Sequence, residues 1–251
     1  MKKSNDLISQ FEIYQINPGI VVGCELEKER RYIVISNNLN NRYSDSVTLI
    51  PIKKIDKTFR YEIEVKCGEM NLYKNSKIVI PQILTVGKDK FINKDLCLGK
   101  VPFYIQKQME HKLIEFLSFD ENRNKTFKQI KQYGIYEINF SANQSVFSQD
   151  DLVKVIVVSN NINNASNEVV AIVPINEYDT SLKTSRLDIK IPRLYIENDN
   201  NNKNDYIAYP EKIIRVAKER FFINGRIRKI GKLPNEIKYM VKNSLFAHFG
   251  F

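Results

Sequence analysis

Cysteine and histidine supply most of the thiol nucleophiles, zinc ligands and acid–base groups in proteins. The three cysteines, Cys24, Cys67 and Cys97, are odd in number and lack a C-x-x-C spacing. This pattern argues against a disulfide framework and against a zinc site. The two histidines, His111 and His248, do not align in the repeat described below, so we expect packing or surface roles rather than a catalytic pair. We predict no metal and no cofactor.

Basic and aromatic side chains suit a different task, the binding of a polyanion. The sequence has 39 Lys and Arg residues against 29 Asp and Glu residues, with a net charge of +10 and a pI of about 9.3. The 13 tyrosines and 14 phenylalanines could stack on unpaired bases, and Tyr43, next to Arg42, is the best candidate. The expected partner is a nucleic acid or an acidic protein segment. A composition set by an AT-rich genome is the alternative explanation of the charge.

The sequence indicates neither a membrane span nor secretion. It contains no run of 18 or more apolar residues, and residues 1–6 lead into no apolar signal core. We therefore expect a cytoplasmic protein with no membrane partner. Hydrophobic residues make up 43% and charged residues 27% of the 251 positions, which is typical of one large or two ordinary globular domains.

The elements that must position the basic side chains occur twice, because blocks of sequence recur in the same order. The paired blocks are 12–17 with 134–139, 33–41 with 156–164, 49–52 with 172–175, 83–91 with 213–221, and 98–101 with 230–233. The offset grows from 122 to 132, which small loop insertions such as the polar run 198–202 explain. Each half carries a net charge of +5, so the basicity belongs to the repeated module.

The sequence of each module predicts several strands followed by a helix. The upstream blocks are rich in Val and Ile and are separated by Asn- and Ser-rich turns, a pattern typical of strands. After each Gly-Lys pair, apolar residues recur every four positions, which predicts one buried helical face. The members of the two faces are Ile105, Met109, Leu113, Leu117, Ile237, Val241, Leu245 and Phe249. Pro102 and Pro234 suit the first turn of these helices.

The repeat therefore predicts a mainly β chain (α+β) of two modules. The first module covers residues 1–119 and the second, more divergent one covers 132–251, with a polar linker at 120–131. A linker of about ten residues is long enough for the modules to pack against each other.

The order of motifs in each module resembles that of the MazF/PemK toxin family. An I-Y strand is followed by a hydrophobic strand that ends in Ser36-Asn37, an Asn41-Arg42-Tyr43 turn and a strand that ends in Pro51-Ile52. Residues 82–86, Q-I-L-T-V, are similar to the Q-I-R-T-I stretch of the family. The resemblance covers nearly the whole chain, twice, and residues 30–52 carry most of it.

The resemblance implies a fold, an assembly and an activity. Each module is expected to be a small SH3-like or CcdB-like β-barrel with a C-terminal helix. The two modules are expected to form an intramolecular pseudo-dimer, since an isologous interface survives fusion if the linker can span it. The implied activity is metal-free, selective cleavage of single-stranded RNA in the groove between the modules, and the implied protein partner is an acidic antitoxin.

The resemblance also points to Arg30 and Lys53 as catalytic residues. Arg30 falls on the arginine that opens the second strand in the family, and Lys53 falls on a Thr or Ser position. Cleavage through the 2′-OH needs proton transfer and cations that stabilise the phosphorane. Lys53 could neutralise a phosphate, although it lacks the hydroxyl. The second module has Val153 and Asn176 at these positions, so one active half is expected.

Neighbouring polar residues of the same motifs are expected to bind the RNA. They are Arg31, Asn37, Arg42, Tyr43, Gln82, Lys154 and Asn160. Lys154 could supply charge beside Val153, but not the planar donor fork of an arginine. Pro81 and Leu84 replace the acidic residue and the arginine of the family's D/E-Q-x-R-T stretch.

Two functions remain open at this point. The first is a toxin-like endoribonuclease with one composite site. The second is a catalytically inactive relative that binds nucleic acid or a protein partner, because family positions have changed in both halves. CcdB-like toxins, which share a related barrel and bind DNA gyrase, show by analogy that the fold does not fix the activity. The position of Arg30 relative to Lys53 in the structure is the criterion that distinguishes the endoribonuclease from the inactive binding protein.

Overall fold

The computed structural model describes residues 8–19, 29–91, 97–118, 130–139, 152–181, 184–197, 204–223 and 226–251. Residues 1–6, Cys24, the polar run 198–202 and nearly all of the expected linker 120–131 lie outside this part of the chain. Ile130, at the end of that linker, is buried with the second half.

The first half forms one antiparallel sheet and two helices within the described residues. In chain order these are β1 Glu12–Ile16, β2 Arg30–Val34, α1 Asn38–Tyr43, β3 Ser46–Lys54, β4 Glu62–Val65, β5 Ser76–Val79, β6 Leu84–Gly87, β7 Cys97–Lys100 and α2 Phe103–Leu117. The strand order is β4-β5-β3-β2-β1-β7, and β6 also pairs with β3.

The second half repeats this arrangement. Its elements are β8 Gly134–Asn139, β9 Leu152–Val157, α3 Asn161–Ser166, β10 Val169–Glu177, β11 Ile189–Ile191, β12 Tyr206–Ala208, β13 Ile214–Ala217, β14 Phe222–Ile223, β15 Arg226–Ile227, β16 Lys229–Lys232 and α4 Asn235–Phe249. The order β11-β12-β10-β9-β8-β16, with β13 on β10, matches the first sheet strand by strand, and β14–β15 is an added ribbon. The predicted duplication is confirmed, and each copy has its own sheet.

The long strand of each half changes its partner at a proline, which bends the sheet. Residues 46–49 of β3 pair with β6, whereas residues 52–54 pair with β5. Pro51 lies between these two segments, where its missing N–H costs no ladder bond. Pro174 has the same place in β10, between the segments that pair with β13 and β12. Because one strand serves two neighbours, each sheet curls into a half-barrel, as the family resemblance implied.

The terminal helices bury the predicted faces, with one residue added to each. Phe116 in α2 and His248 in α4 are buried beside the residues that the fourfold spacing selected. Pro102 and Pro234 stand at the N-cap position, one residue before the helix. At 15 residues, neither helix is long and apolar enough to cross a membrane, and no other helix of the described residues is.

The Ser-Asn motif after β2 and after β9 starts a short helix rather than the expected turn. The side chain of Asn37 accepts a hydrogen bond from the N–H of Asn40 at 2.8 Å, and Asn160 does the same for Asn163 at 2.9 Å. The prediction of a turn at Asn41-Arg42-Tyr43 is therefore wrong, since these residues end α1; the sequence is ambiguous here because asparagine favours both turns and helix N-caps.

The halves share a hydrophobic core in addition to a core of their own. The shared core contains Ile33 and Ile50 of the first sheet and Ile156 and Val173 of the second, together with the buried faces of α2 and α4. The opposite faces of the two sheets pack within their own halves. Burial of this apolar area favours the joined state of the halves.

The C-terminus of α4 is capped by the first half. The backbone N–H of Asn37 donates to the carbonyl of His248 at 3.0 Å, and its side-chain amide donates to the carbonyl of Ala247. The amide of Gln10 donates to the carbonyl of Phe249 at 2.7 Å. These bonds satisfy carbonyls that have no donor within the helix.

The C-terminus of α2 is capped by the second half in the same way. The backbone N–H of Asn160 donates to the carbonyl of Phe116 at 3.0 Å, and its side-chain amide donates to that of Glu115 at 2.7 Å. The amide of Gln132 is 3.3 Å from the carbonyl of Leu117. Every bond has its counterpart in the other half, so the two halves are related by a pseudo-twofold axis.

Replacement of Asn160 tests the contribution of these caps. Asn160→Ala should lower the free energy of unfolding by about 2 kcal/mol, because α2 loses a carbonyl partner and α3 loses its N-cap. Asn160→Ser keeps an acceptor for the N–H of Asn163 but cannot reach Glu115. Chemical denaturation of both variants measures the difference, and a serine variant as stable as the wild type would show that the bond between the halves contributes little.

Candidate functional site

An open cleft of about 720 Å³ lies between the two halves. Strands β3 to β5 and the turn 80–82 form its first-half wall, and α3 and the start of β10 form the other wall. Its basic residues are Lys53, Lys54, Arg60 and Lys77. A concave, basic surface between the halves is a suitable shape for an anionic chain.

The pairing of β2 with β3 brings Arg30 towards Lys53. Tyr32 lies opposite Pro51 in this antiparallel pair. Continuing the register by two residues places Arg30 on the side of Lys53, and because side chains alternate along a strand, both share one face of the sheet with Tyr32. The two predicted catalytic residues therefore lie on the same face, at neighbouring strand ends.

The surroundings of Lys53 favour its neutral form. Burial, together with the positive charges of Arg215, Arg30 and Lys77, lowers the pKa of its amine to about 8, against a smaller opposite effect of Glu62. A lysine with such a pKa exists in both protonation states near neutral pH. It can therefore accept or donate a proton as well as bind an anion.

Lys77 is neutralised locally. It is directly opposite Lys53 on β5, and its side chain is nearly buried. Its ammonium lies 2.9 Å from the carboxylate of Glu62 and 2.6 Å from that of Asp56. These two ion pairs fix Lys77 in place, and Arg60 pairs with Glu115, so Lys53 and Lys54 are the more available cations among the residues that line the cleft.

Arg215, in β13 of the second half, reaches the first-half site. Its backbone N–H donates to the carbonyl of Ile83 at 3.1 Å, and its Nη1 lies 3.4 Å from the carbonyl oxygen of Gln82. Its charge acts on both Lys53 and Tyr32. The sequence offered no signal for this role, because the repeat aligns Arg215 with Thr85, and only the pseudo-twofold axis brings it across.

Several polar atoms near this cluster are buried without a hydrogen-bond partner among the described residues. They are Arg30 Nε, the Tyr32 hydroxyl and Gln82 Oε1. Burial raises the pKa of Tyr32, although Arg30 and Arg215 oppose the shift, so the hydroxyl stays protonated and can donate. Unsatisfied buried polar atoms are rare in folded proteins, and here they gather beside two cations.

The corresponding place in the second half has lost its cations. Val153, Asn176 and Ile207 stand where the first half has Arg30, Lys53 and Lys77. Asp188 is the counterpart of Glu62, and burial raises the pKa of its carboxyl group, against smaller opposite effects of the Ser185 backbone and of Lys212. The described residues therefore hold the Arg30–Lys53 cluster in the first half and no equivalent of it in the second.

Four of the expected RNA-binding residues lie outside this cluster. Arg31 is on the opposite face of β2 and donates to the carbonyl of Asn71 at 2.8 Å. Lys154, its counterpart in β9, lies over the ring of Tyr206. Arg42 and Tyr43 lie at the end of α1. Tyr43 lines a separate recess on the far side of the pseudo-twofold axis, and Arg42 is its neighbour in the chain. Gln82 is the one that lines the cleft.

Asn37 and Asn160, also expected to bind RNA, are structural in their observed contacts. Both cap a short helix and donate to the terminal helix of the other half, and Asn160 also bonds to the hydroxyl of Tyr61 at 2.9 Å. Their side chains are engaged in the interface, and the site proposed below does not include them.

His248 lies in a buried polar contact that the other half lacks. Its Nε2 lies 2.9 Å from the hydroxyl of Thr48, and its Nδ1 lies 3.0 Å from the amide of Asn40. Thr48 also bonds to Thr85 at 3.0 Å. Complete burial lowers the pKa of His248 to about 3, so the ring is neutral in the folded protein. His111, by contrast, is exposed.

Metal-ligating side chains do not gather in the described part of the chain. No group of three or more His, Cys, Asp or Glu residues there could hold a metal ion. Cys67 and Cys97 are free thiols at the surface.

Removal of Arg215 should raise the pKa of Lys53. Arg215→Gln takes away a positive charge that disfavours the ammonium, so the pKa should move from about 8 towards the ordinary value of 10.5. NMR titration of the labelled lysine side chains measures it. Arg42→Gln, which removes an exposed charge that does not act on Lys53, is the control. An unchanged titration of Lys53 in the Arg215 variant would show that the charge of Arg215 does not affect the pKa of Lys53.

Protonation of His248 should destabilise the fold in acid. Its folded pKa lies below its unfolded value, so stability should fall as the pH drops from about 6.5 towards 3, by at most about 1.4 kcal/mol per unit. His248→Phe, which installs the residue that α2 has at this position, should give a flatter profile. Denaturation at several pH values tests this, with His111→Phe as the control. An equally steep profile for His248→Phe would contradict it.

Comparison with known proteins identifies a family for both halves. A family model described as a PemK-like, MazF-like toxin of type II toxin–antitoxin systems matches residues 9–117 and again residues 131–249. The two matches cover most of the chain and coincide with its two halves. A search of curated proteins gave no match.

Several solved structures are similar to part of the chain. An endoribonuclease from a mycobacterial species, in complex with its cognate antitoxin, is 17% identical over 43% of this chain and 91% of its own, with a TM-score of 0.34. MazF from Deinococcus radiodurans is 13% identical over 49% of this chain and 99% of its own, with a TM-score of 0.37. The Mycobacterium tuberculosis toxin MazF-mt6 is 11% identical over 47% and 97%, with a TM-score of 0.35.

Proposed function

The chain belongs to the family of PemK-like, MazF-like toxins of type II toxin–antitoxin systems, and from this premise we propose that it is an endoribonuclease. Its substrate is single-stranded RNA, which it cleaves without a metal ion at one site in the cleft between the halves. Arg30 and Lys53 carry the reaction. The observation that supports this most strongly is the first-half cluster in which these two residues lie on one face of the sheet, with Arg215 supplied by the other half.

The proposed reaction is attack of the 2′-hydroxyl on the adjacent phosphate. Neutral Lys53 accepts the proton of the 2′-hydroxyl while the 2′-oxygen forms a bond to phosphorus. The bond from phosphorus to the 5′-oxygen breaks, and that oxygen takes a proton from solvent. The products are a 2′,3′-cyclic phosphate and a 5′-hydroxyl end.

Arg30 stabilises the charge of the phosphorane in this scheme. Its guanidinium has an Nε donor that no described residue uses, and it can bind two phosphate oxygens at once. Tyr32, on the same face of the sheet as Arg30, keeps its proton and can donate a hydrogen bond. Gln82, at the rim of the cleft, is suited to contact a base or the ribose.

The partners and the location follow from the same proposal. Single-stranded RNA is the substrate, and an acidic antitoxin that covers the basic cleft is the expected inhibitor. Both occur in the cytoplasm, which is where we place the protein. Arg31, Arg42, Tyr43 and Lys154 could contact RNA outside the cleft, whereas the two motif asparagines hold the interface.

The test is incubation of the purified protein with a long unstructured RNA in EDTA. Wild type should cleave it, and Arg30→Ala should reduce kcat/KM about 100-fold or more, as expected for the loss of a transition-state donor. Arg31→Ala, a neighbouring arginine on the other face of the strand, is the matched control and should lose less than about tenfold. Cyclic phosphate ends identify the reaction. Intact RNA with wild type would reject the endoribonuclease and favour the inactive binding protein.

The pH dependence tests the role of Lys53. If its neutral amine accepts the proton, kcat should rise from pH 7 to 9, because its pKa of about 8 lies within that interval. Lys53→Met should lose most of the activity and the rise with it. A rate that falls over the same interval would assign Lys53 to phosphate binding as a cation and would remove it as the proton acceptor.

A further inference from the structure

A second basic recess, which we call the lysine pocket, lies in the second half at the N-terminal end of α4. It has a volume of about 520 Å³ and is lined by Lys131, Lys229, Lys232 and Lys238, together with Asn161 and Tyr239. None of the four lysines forms an ion pair with a described residue. Lys238 is partly buried, and its pKa is lowered by burial and by Lys232. Four lysines in one recess give it a positive potential that attracts an anion.

The equivalent surface of the first half lacks three of the four lysines, so the cluster is not a general property of the module. Ser9, Cys97 and Gln106 occupy the positions of Lys131, Lys229 and Lys238 there, and Lys100 corresponds to Lys232. A carboxylate, Glu12, also stands on this surface in the first half. The half that lost the catalytic cations is the one that gained a cluster of lysines.

The removal of that carboxylate required a local rearrangement. In the first half, Glu12 accepts the backbone N–H of Ser9 at 2.8 Å and the hydroxyl of Tyr14 at 2.6 Å. In the second half, glycine replaces Glu12, and the hydroxyl of Tyr136 accepts the N–H of Lys131 directly, at 2.8 Å.

Gly134 is needed for this arrangement. A Cβ atom at this position would lie 2.5 Å from the ring of Tyr136. The backbone contact is thus kept by a neutral group, and the pocket retains no negative charge of its own among the described residues.

The lysine pocket is next to the proposed cleavage cleft. Asn161, the first residue of α3, lines the pocket, and Ile162, the next residue, lines the cleft. We propose that the lysine pocket is an accessory RNA-binding site, which holds backbone phosphates of the strand that runs through the cleft. This inference rests on the proposed function for its choice of RNA as the ligand. The second half then contributes to substrate binding through a surface that it does not share with the first.

The lining of the pocket favours RNA over an acidic peptide. The ring of Tyr239 is half exposed beside the lysines and can stack on a base. The amide oxygens of Asn161 and Asn235 accept from the N–H of Gln132 at 2.8 Å and from the ammonium of Lys238 at 2.9 Å, which leaves their N–H groups as donors for base carbonyls and ribose oxygens.

The experiment measures RNA binding separately from cleavage. An end-labelled, unstructured 20-nucleotide RNA is titrated by fluorescence anisotropy into the full chain carrying Arg30→Ala, so that the strand stays intact. The further change Lys131→Ser/Lys229→Ser/Lys238→Gln replaces three of the lysines. Lys131→Ser and Lys238→Gln install the residues of the first half, and Lys229→Ser installs a residue similar in size to Cys97. It should weaken binding about tenfold and make the slope of log K against log salt shallower by about 2, since three phosphate contacts are lost.

A matched pair of single variants controls for charge and for folding. Lys232→Ala should weaken binding, whereas Lys100→Ala, at the equivalent place in the first half, should not. Lys229→Ser alone, at an exposed position, tests the proposal if the triple variant does not fold.

Unchanged affinity and salt slope in the pocket variants would overturn the proposal, as would equal competition by a poly-glutamate peptide of matched charge. Absence of cleavage by the wild type would overturn the proposed function alone, because the binding measurement does not depend on it.

Discussion

The structure depends on an exchange of caps between its two halves. A helix end needs donors for its last carbonyls, and each half supplies them to the other through one asparagine and one glutamine. Asn37 and Asn160 each do this while they also start a short helix of their own, so that one motif serves both halves. Because the caps lie around the shared apolar core, separation of the halves would expose that core and break these bonds. The contacts between the halves therefore stabilise both modules.

Fusion removes the constraint that keeps the two subunits of a homodimer identical. Each copy of the repeat can change alone, provided that the caps and the shared core are kept. The first half keeps Arg30 and places Lys53 next to it, and the second half has Val153 and Asn176 at these positions. The second half still takes part, since Arg215 crosses the axis to act on Lys53. One composite site remains, built by both halves although its cations are mostly from the first.

The fold could be predicted from the sequence because its signals are local and repeated. Alternation in the Val- and Ile-rich blocks and the fourfold spacing in the helices depend on neighbouring residues, and the repeat supplied each signal twice. The site was harder to predict from the sequence than the fold. Arg30 and Lys53 were predicted through the family resemblance, whereas Arg215 acts across an axis that no linear pattern reveals. The contacts of the two motif asparagines with the other half could not be predicted, because their partners lie about 45 and 210 residues away in the chain.

The loss of symmetry in the cationic centre has a consequence for direction. A nucleic acid strand has two different ends, and a dimer of identical subunits offers it two equivalent ways to lie across the dyad. In this chain the two ways differ, because Arg30 and Lys53 stand on one side and Val153 and Asn176 on the other. Only one polarity brings a given phosphate to the cations with its flanking nucleotides in a fixed order. The fused protein therefore offers a strand one productive orientation, whereas a twofold surface offers two equivalent orientations, each at its own copy of the site.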